Sequence, residues 1–141
     1  MSSKSFSLKA LVLKRVNVGE TDRVVTLLSQ EKGKLVCVAK GVRKLNSSKR
    51  AYMEPGNIIK AFFIKTKSLP LLIQAKPISD SAPAKVSLTR IRQLAQILEV
   101  YDKLFVEEEL PAHIYNLAIR IRSDVVAGHL KKAKGHLGKL I

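Results

Sequence analysis

The sequence predicts an α+β fold, in which a small five-stranded β-barrel of the OB-fold type is followed by an α-helical region. Short apolar runs with a two-residue period recur through residues 6–78, and turn-forming residues separate them. After residue 87 the apolar residues recur every three or four positions, which is typical of amphipathic helices. We therefore assign residues 1–80 to a barrel domain, residues 81–86 to a linker and residues 87–141 to a helical region.

The barrel is predicted from five strands, at residues 6–17, 22–30, 35–40, 57–65 and 69–78. The second and third strands are expected to form a tight hairpin at residues 31–34, because Gly33 can adopt a positive φ. Pro70 and Pro77 predict that the fifth strand lies at a sheet edge, since proline cannot donate a hydrogen bond. The strand count also fits an SH3-like barrel, but the long segment 41–56 lies where an OB-fold places its helix or crossover.

Two helices are predicted after the linker, at residues 87–106 and 111–128. Pro111 fits the first turn of the second helix, and Gly128 fits its end. A short connection makes the two helices an antiparallel pair, which must pack on the barrel, on a third helix or on a partner. We expect the basic tail, residues 131–141, to fray.

Positive charge dominates the composition. The chain of 141 residues has 26 Lys and Arg against 11 Asp and Glu, a net charge of +15. Residues 1–80 contribute +11 of this charge and residues 81–141 contribute +4. A surplus of this size exceeds what solubility requires and implies an anionic partner, which is nucleic acid or, less often, an anionic membrane. The first half is the expected binding surface.

Residues 41–56 lose all apolar periodicity and are expected to form a long, mobile loop. Loops of this length inside compact domains are usually functional or disordered. With the residue just before it, the loop carries five basic residues within eleven positions, among small or polar neighbours that let the backbone approach phosphate. These candidate contacts are Lys40, Arg43, Lys44, Lys49 and Arg50.

Seven further basic residues lie near the ends or turns of the predicted strands and would extend the loop into a stripe. Aromatic residues make up only 5% of the chain, so few rings are free to stack on bases. Binding is therefore expected to rest on phosphate neutralisation, with weak sequence selectivity and a steep dependence on salt. The seven residues are Lys14, Arg15, Arg23, Lys32, Lys34, Lys65 and Lys67.

No convergent set of catalytic or metal-binding groups is visible, so we expect neither an enzyme nor a metal or cofactor. His113, His129 and His136 all lie in the helical part, and the acidic run 107–109 reads as a solvated turn. The chain has one cysteine, Cys37, which we expect to be a buried, inert thiol in a reducing, cytoplasmic compartment. No apolar run approaches the ~20 residues that span a bilayer, and no membrane partner is expected.

Four short motifs resemble the N-terminal domain of the RecO family of bacterial recombination mediators. They are Gly19-Glu20-Thr21-Asp22-Arg23, Glu31-Lys32-Gly33-Lys34, Ala39-Lys40-Gly41-Val42-Arg43 and Ser47-Ser48-Lys49-Arg50. The match runs over residues 6–78 and continues more weakly into the helices.

The resemblance implies an OB-fold followed by a helical domain, located in the cytoplasm with the nucleoid. It also implies a role without catalysis. That role is to bind single- and double-stranded DNA, to anneal complementary strands, and to help load recombinase onto strands coated by single-strand-binding protein. RecR would be a partner, as would the single-strand-binding protein itself. By position, Arg23 and the five residues of the basic loop become candidate DNA contacts.

RecO proteins are typically longer, and many have a four-cysteine zinc site in the helical domain. Cys37 is the single cysteine here, so we expect a short form or a fragment without the zinc module. Two alternatives stay open at this point. The charge pattern also fits an RNA-binding or ribosome-associated barrel protein, and the apolar faces of the helix pair also fit a protein-interaction module.

Overall fold

The computed structural model describes residues 4–44, 48–78 and 87–141, so the predicted linker at residues 81–86 lies outside the described residues. Within these ranges, five strands close into a barrel in the order β1-β2-β3-β5-β4, which confirms the predicted α+β class and the five-stranded barrel. The strands are β1 (Ser5–Val18), β2 (Asp22–Ser29), β3 (Gly33–Ala39), β4 (Ile58–Ile64) and β5 (Leu71–Pro77).

β5 is not the edge strand that its prolines suggested. It pairs with β4 from Leu71 to Pro77 and closes the barrel through a parallel bridge between Val38 and Leu71. The prolines are compatible with this position because they lie at or beyond the strand ends. Pro70 takes part through its carbonyl oxygen, which accepts a 2.9 Å hydrogen bond from the main-chain nitrogen of Val38.

Both faces of β1 are buried over part of its length. Leu8, Ala10 and Val12 point into the barrel, where they join its core. Leu11 and Leu13 point outward, yet they too are almost completely buried, because the helices cover them. The molecule therefore has two layers of apolar packing, one inside the barrel and one between the barrel and the helices.

The segment between β3 and β4 is more ordered than the sequence suggested. Instead of a wholly mobile loop, Ser48–Met53 form a 3₁₀ helix, in the place where an OB-fold has its helix or crossover. Val42 and Met53 are fully buried in the barrel core. These two apolar side chains pin both ends of the segment, although they are too far apart in sequence to form a periodic pattern. Residues 45–47 lie outside the described residues.

Three helices follow in the described part of the chain: α1 (Leu88–Leu104), α2 (Ala112–Val126) and α3 (Leu130–Leu137). The Ser87 hydroxyl caps α1 by accepting from the main-chain nitrogen of Arg90 at 3.3 Å, and Gly128 follows the end of α2 with a φ of +87°. The first two helices agree with prediction. None of the helices described is long and apolar enough to span a bilayer.

The tail does not simply fray, since part of it forms α3. Ala133 is fully buried, and Leu130 and Leu137 pack against the same apolar layer. These three residues recur at intervals of three and four, so they lie on one face of a helix. The apolar spacing thus outweighs the two glycines of the tail, Gly135 and Gly138.

The β2–β3 hairpin is hydrogen-bonded to the connection between α1 and α2. The main-chain nitrogen of Lys34 donates to the carbonyl oxygen of Val106 at 2.9 Å. The main-chain nitrogen of Leu110 donates to the carbonyl oxygen of Gln30 at 2.8 Å. Gly33 has the predicted positive φ, +63°, and a Cβ atom there would collide with the main-chain oxygens of Val106 and Glu108. Glycine is required at this position for two reasons. It can adopt the positive φ, and it has no Cβ atom to block the approach of the connection between α1 and α2.

Candidate nucleic-acid interface

Two of the sequence motifs, residues 19–23 and 39–43, meet in space. The main-chain nitrogen of Gly41 donates a 2.7 Å hydrogen bond to Asp22 Oδ1, and Thr21 Oγ1 donates to the same oxygen at 3.1 Å. The hydrogen bond from Gly41, followed by that from Thr21, holds the pKa of Asp22 below its ordinary value of 3.8. Gly41 itself has a φ of +68°, which turns the chain out of β3 toward the basic segment.

Three basic residues of this turn lie around Asp22, and we call Lys40, Arg43 and Lys44 the turn cluster. Arg43 is fixed at two points, since its main-chain nitrogen donates to Thr21 O at 2.9 Å and its Nη1 to Gly19 O at 2.8 Å. Lys40 and Lys44 are exposed, and their charges also help to lower the pKa of Asp22. One carboxylate thus faces two exposed lysines, which leaves positive charge at the surface.

The β4–β5 turn lies next to the turn cluster. Lys40 lines an open cleft of about 260 Å³ together with Thr66, Ser68 and Leu69 of that turn. Lys65 and Lys67 are exposed on the same turn. The predicted basic residues at the ends of β3 and β4 are therefore neighbours, although they are more than twenty residues apart in the sequence.

Further along the barrel end, two lysines flank an aromatic ring. Lys32 Nζ lies 5.7 Å from the centroid of the Phe6 ring, and Lys65 Nζ lies 6.0 Å from it. Phe6 in turn stacks on the buried Phe63, with 4.8 Å between centroids. Lys32 is exposed on the β2–β3 hairpin, so the line of positive charge continues from the β4–β5 turn to this hairpin.

Arg15 and Arg23 are bound to one carboxylate, that of Glu54. Arg15 Nε and Nη2 donate to its two oxygens at 2.8 and 3.1 Å, and Arg23 Nη1 lies 3.2 Å from Oε2. The Arg23 side chain is only 8% exposed, and its Nε donates to Asn17 Oδ1 at 3.1 Å. Burial, followed by the nearby charge of Arg15, lowers the pKa of Arg23 below its ordinary value. The structure thus places Arg23 inside a network that positions the segment before β4.

Arg50 is exposed on the 3₁₀ helix and lies close enough to Arg23 for its charge to lower the pKa of that residue as well. The candidate contact Lys49 belongs to the same helix, but its side chain lies outside the described residues.

Lys14 and Lys34 lie on the side of the barrel that carries α1. Both are directed at Asp102. Lys34 Nζ donates to the Asp102 carbonyl oxygen at 2.6 Å and lies 3.5 Å from Oδ1, and Lys14 Nζ lies 3.9 Å from Oδ2. The carbonyl belongs to the last turn of α1, where main-chain oxygens lack partners within the helix and attract cations. Lys34 therefore attaches the helix to the barrel, and the exposed Lys14 adds a weak ion pair.

Two charged residues that organise this region were missed in the sequence. Glu54 is the shared partner of Arg15 and Arg23, and nothing local in the sequence pairs it with either of them. Arg122 is 1% exposed, and its Nε donates to the Gly56 carbonyl oxygen at 2.9 Å. Its burial could have been predicted, because it follows Ala118 by four positions and precedes Val125 by three, on the apolar face of α2.

The potentially reactive groups lie away from this surface. Cys37 is buried as predicted, and burial raises the pKa of its thiol to about 12. Within the described ranges, no group of three or more His, Cys, Asp or Glu side chains is placed to hold a metal ion.

Comparisons with known proteins agree with the resemblance seen in the motifs. Residues 1–80 match the family model described as recombination protein O, N terminal. The DNA repair protein RecO of Heliobacterium modesticaldum is 36% identical over 96 residues, which cover 68% of this chain and 35% of that protein. The corresponding protein of Shouchella clausii is 34% identical over 102 residues, which cover 72% of this chain and 40% of that protein. The protein of Salinibacter ruber is 32% identical over 114 residues, which cover 79% of this chain and 44% of that protein. The chain therefore spans less than half the length of these curated relatives.

Proposed function

The chain belongs to the RecO family of DNA repair proteins, and on this premise we propose that it binds single- and double-stranded DNA through the basic end of its barrel. Its role is that of a recombination mediator without catalytic activity, which anneals complementary strands and assists the loading of recombinase. RecR and the single-strand-binding protein are the proposed partners, and the nucleoid is the proposed location.

The observation that carries this proposal is the hydrogen bond between Asp22 and Gly41. It holds the turn cluster at one barrel end, beside the lysines of the β4–β5 turn. Apart from Lys14 on the helix side, six of the candidate contacts are exposed in the described residues, and they continue from this turn toward Phe6, the β2–β3 hairpin and the 3₁₀ helix. They are Lys32, Lys40, Lys44, Arg50, Lys65 and Lys67.

The mechanism is electrostatic. Each phosphate that the protein neutralises releases counterions, which favours binding more at low salt than at high salt. If all six of these residues contact phosphates, log K should fall against log salt concentration with a slope of about −5 on duplex DNA and about −4 on single strands. The same neutralisation lowers the repulsion between two complementary strands and so favours annealing.

The test is a salt titration of binding to single-stranded and duplex oligonucleotides, with an annealing assay alongside. The variant K40Q/K44Q/K67Q removes three exposed charges from the proposed surface, and we expect the single-strand slope to become shallower by about 2. The control K131Q/K132Q/K139Q removes the same charge from exposed positions on or after α3 and should leave the slope unchanged. Equal slopes for the two variants would contradict the proposal.

RNA oligonucleotides of the same length complete the experiment. A basic barrel with few free aromatic rings neutralises RNA phosphates as well as DNA phosphates, so charge alone does not separate the two. Tighter binding to RNA than to DNA in the same salt would favour the ribosome-associated or RNA-binding alternative. Binding to neither would favour a protein-interaction module.

The proposed partners are tested separately. Purified RecR and single-strand-binding protein are mixed in turn with the chain, and complex formation is followed by analytical ultracentrifugation at a salt concentration that suppresses non-specific charge attraction. We expect a complex with RecR. If neither protein co-sediments, DNA binding is an activity of the barrel alone and the partner assignments fail.

A further inference from the structure

Three lysines outside the sequence motifs form a row across the outer face of the barrel. Lys9 of β1 pairs with Lys60 of β4, and Lys60 pairs with Lys76 of β5. All three are exposed. Because directly paired residues on neighbouring strands point to the same side, the three side chains leave the same face of the sheet, from strands that span about 10 Å, two strand spacings. We call these residues the lysine row.

We expect the lysine row to lower the stability of the fold, since like charges directly opposite each other on neighbouring strands are destabilising. Among the described residues, no ion pair with a carboxylate relieves this repulsion. Lys76 Nζ does lie 5.6 Å from the centroid of the Phe62 ring, which is a modest compensation. An arrangement that repels itself in the free protein attracts an anion strongly, because a bound anion relieves the repulsion and gains three attractions at once.

The neighbouring rung of the sheet offers contacts of another kind. Ser7, Phe62 and Gln74 are paired across the same three strands, on the same outer face. They line a shallow groove of about 330 Å³ together with the exposed Ile73, which is the extra residue of a β-bulge in β5. The half-buried Phe62 ring can stack on a nucleobase, and the amide of Gln74 can donate to and accept from its edge.

The lysine row and this groove together specify the ligand. A ligand that places its phosphates on the lysines and an unpaired base on Phe62 must be single-stranded. The bases of a duplex are stacked inside the double helix and cannot reach the ring. The helices do not cover this face of the sheet, so a single strand can reach it. One rung beyond the row, Leu11 and Ile58 are buried beneath the helices.

The lysine row lies away from the turn cluster, although the groove beside it reaches Phe6, next to Lys32 and Lys65. Lys9 lies nine residues before Val18, where β1 ends near the turn cluster, which is up to about 30 Å along the strand. We propose that the lysine row and Phe62 form a second binding surface for single-stranded DNA, which rests on the proposed function of the barrel. One chain then holds two strands at once, and annealing begins from strands that are already confined on the same molecule.

The proposal is tested with short DNA single strands of about 8 nucleotides, which is within the site size of one OB barrel. Their binding stoichiometry is measured by titration calorimetry for the wild-type chain, K9Q/K60Q/K76Q and the earlier variant K40Q/K44Q/K67Q. We expect two strands per wild-type chain and one strand per chain for each variant, with at least about a tenfold slower annealing for K9Q/K60Q/K76Q. A wild-type stoichiometry of one overturns the inference and leaves the proposed function standing. A wild-type chain that binds no strand overturns both.

Two single substitutions make the test independent of folding defects. Lys60→Glu places a carboxylate between Lys9 and Lys76, so we expect a higher melting temperature together with loss of the second strand. Phe62→Ala should weaken the second strand by about tenfold through lost stacking. If Lys60→Glu stabilises the fold while both strands still bind, the row is not a DNA site. If phosphatidylserine vesicles bind the wild-type chain but not K9Q/K60Q/K76Q, and both strands bind that variant, the face recognises lipid and the inference fails.

Discussion

Asp22 and Gly41, nineteen residues apart in the chain, are joined by a 2.7 Å hydrogen bond from the Gly41 main-chain nitrogen to Asp22 Oδ1. The bond ties the start of β2 to the turn that leaves β3. The orientation of Lys40, Arg43 and Lys44 depends on that turn. A negatively charged residue at the centre of a basic surface is therefore part of what positions the positive charge.

The charge of Asp22 should stabilise the fold in a pH-dependent way. Its folded pKa is lowered from 3.8, so the stabilisation is fully present above that value and is lost as the pH falls through the folded pKa. Asp22→Asn keeps an acceptor oxygen and removes the charge. We expect Asp22→Asn to be less stable than the wild type at neutral pH, with the difference disappearing as the pH falls below the folded pKa of Asp22, measured by urea unfolding.

Glu20→Gln is the matched control for this experiment, because it removes the same charge from the same turn without touching the hydrogen bond to Gly41. Its stability should track that of the wild type across the same pH range. If Asp22→Asn and Glu20→Gln behave alike, the hydrogen bond adds nothing beyond a general charge effect.

Gly33 should be among the least replaceable residues of the hairpin. Gly33→Ala places a Cβ against the main-chain oxygens of Val106 and Glu108 at a φ of +63°. The left-handed backbone alone costs about 1–2 kcal/mol, and the collision must add to this by opening the clasp between the hairpin and the helices. We expect a loss of at least about 2 kcal/mol in the free energy of unfolding, measured by chemical denaturation.

Gly135→Ala provides the opposite case on the same chain. Gly135 lies in α3, and a Cβ there has nothing within 4 Å. Alanine is preferred over glycine in a helix interior, so this variant should be more stable than the wild type by up to about 1 kcal/mol. Destabilisation of both variants by a similar amount would mean that the close approach at Gly33 is not the cause.

The sequence was most informative where a feature depends on nearby residues. The two-residue alternation predicted the strands, and Gly33 predicted the hairpin with the correct sign of φ. The intervals of three and four predicted α1 and α2, and Gly128 predicted the end of α2. In each case the interaction that decides the structure lies within one strand or a few helical turns.

Features that depend on barrel closure could not be predicted in this way. The pairing of Lys9, Lys60 and Lys76 requires the register of three strands, which the folded barrel sets and no local pattern reveals. For the same reason Lys14 and Lys34 looked like the other strand-end lysines, although Asp102 binds both of them. Burial of Met53 was hidden by the lack of period around it, because the 3₁₀ helix is too short to show one.

Arg122 should contribute to stability through its hydrogen bond and not through DNA. Replacing it with methionine keeps most of the side-chain volume but leaves the buried carbonyl oxygen of Gly56 without this donor. An unsatisfied buried polar group costs about 1–3 kcal/mol, so we expect Arg122→Met to lower the free energy of unfolding by about 2 kcal/mol. The exposed Arg120 of the same helix is the control, and Arg120→Met should change stability by less than about 0.5 kcal/mol. Equal effects would show that the hydrogen bond to Gly56 is not what stabilises this site.

Lys34 offers the clearest separation of stability from DNA binding. Its ammonium group donates at 2.6 Å to a carbonyl oxygen in the last turn of α1 and also lies 3.5 Å from the Asp102 carboxylate. Hydrogen bonds from charged groups contribute about 1.5–3 kcal/mol when well shielded, and the partial exposure of Lys34 reduces this. Lys34→Gln should therefore lower the free energy of unfolding by about 1 kcal/mol and leave the salt slope of DNA binding unchanged.

Lys40→Gln, from the turn cluster, should do the reverse, with unchanged stability and a shallower slope. If Lys34→Gln also makes the slope shallower by about 0.7 on single strands, Lys34 contacts phosphate and the helix side of the barrel belongs to the binding surface.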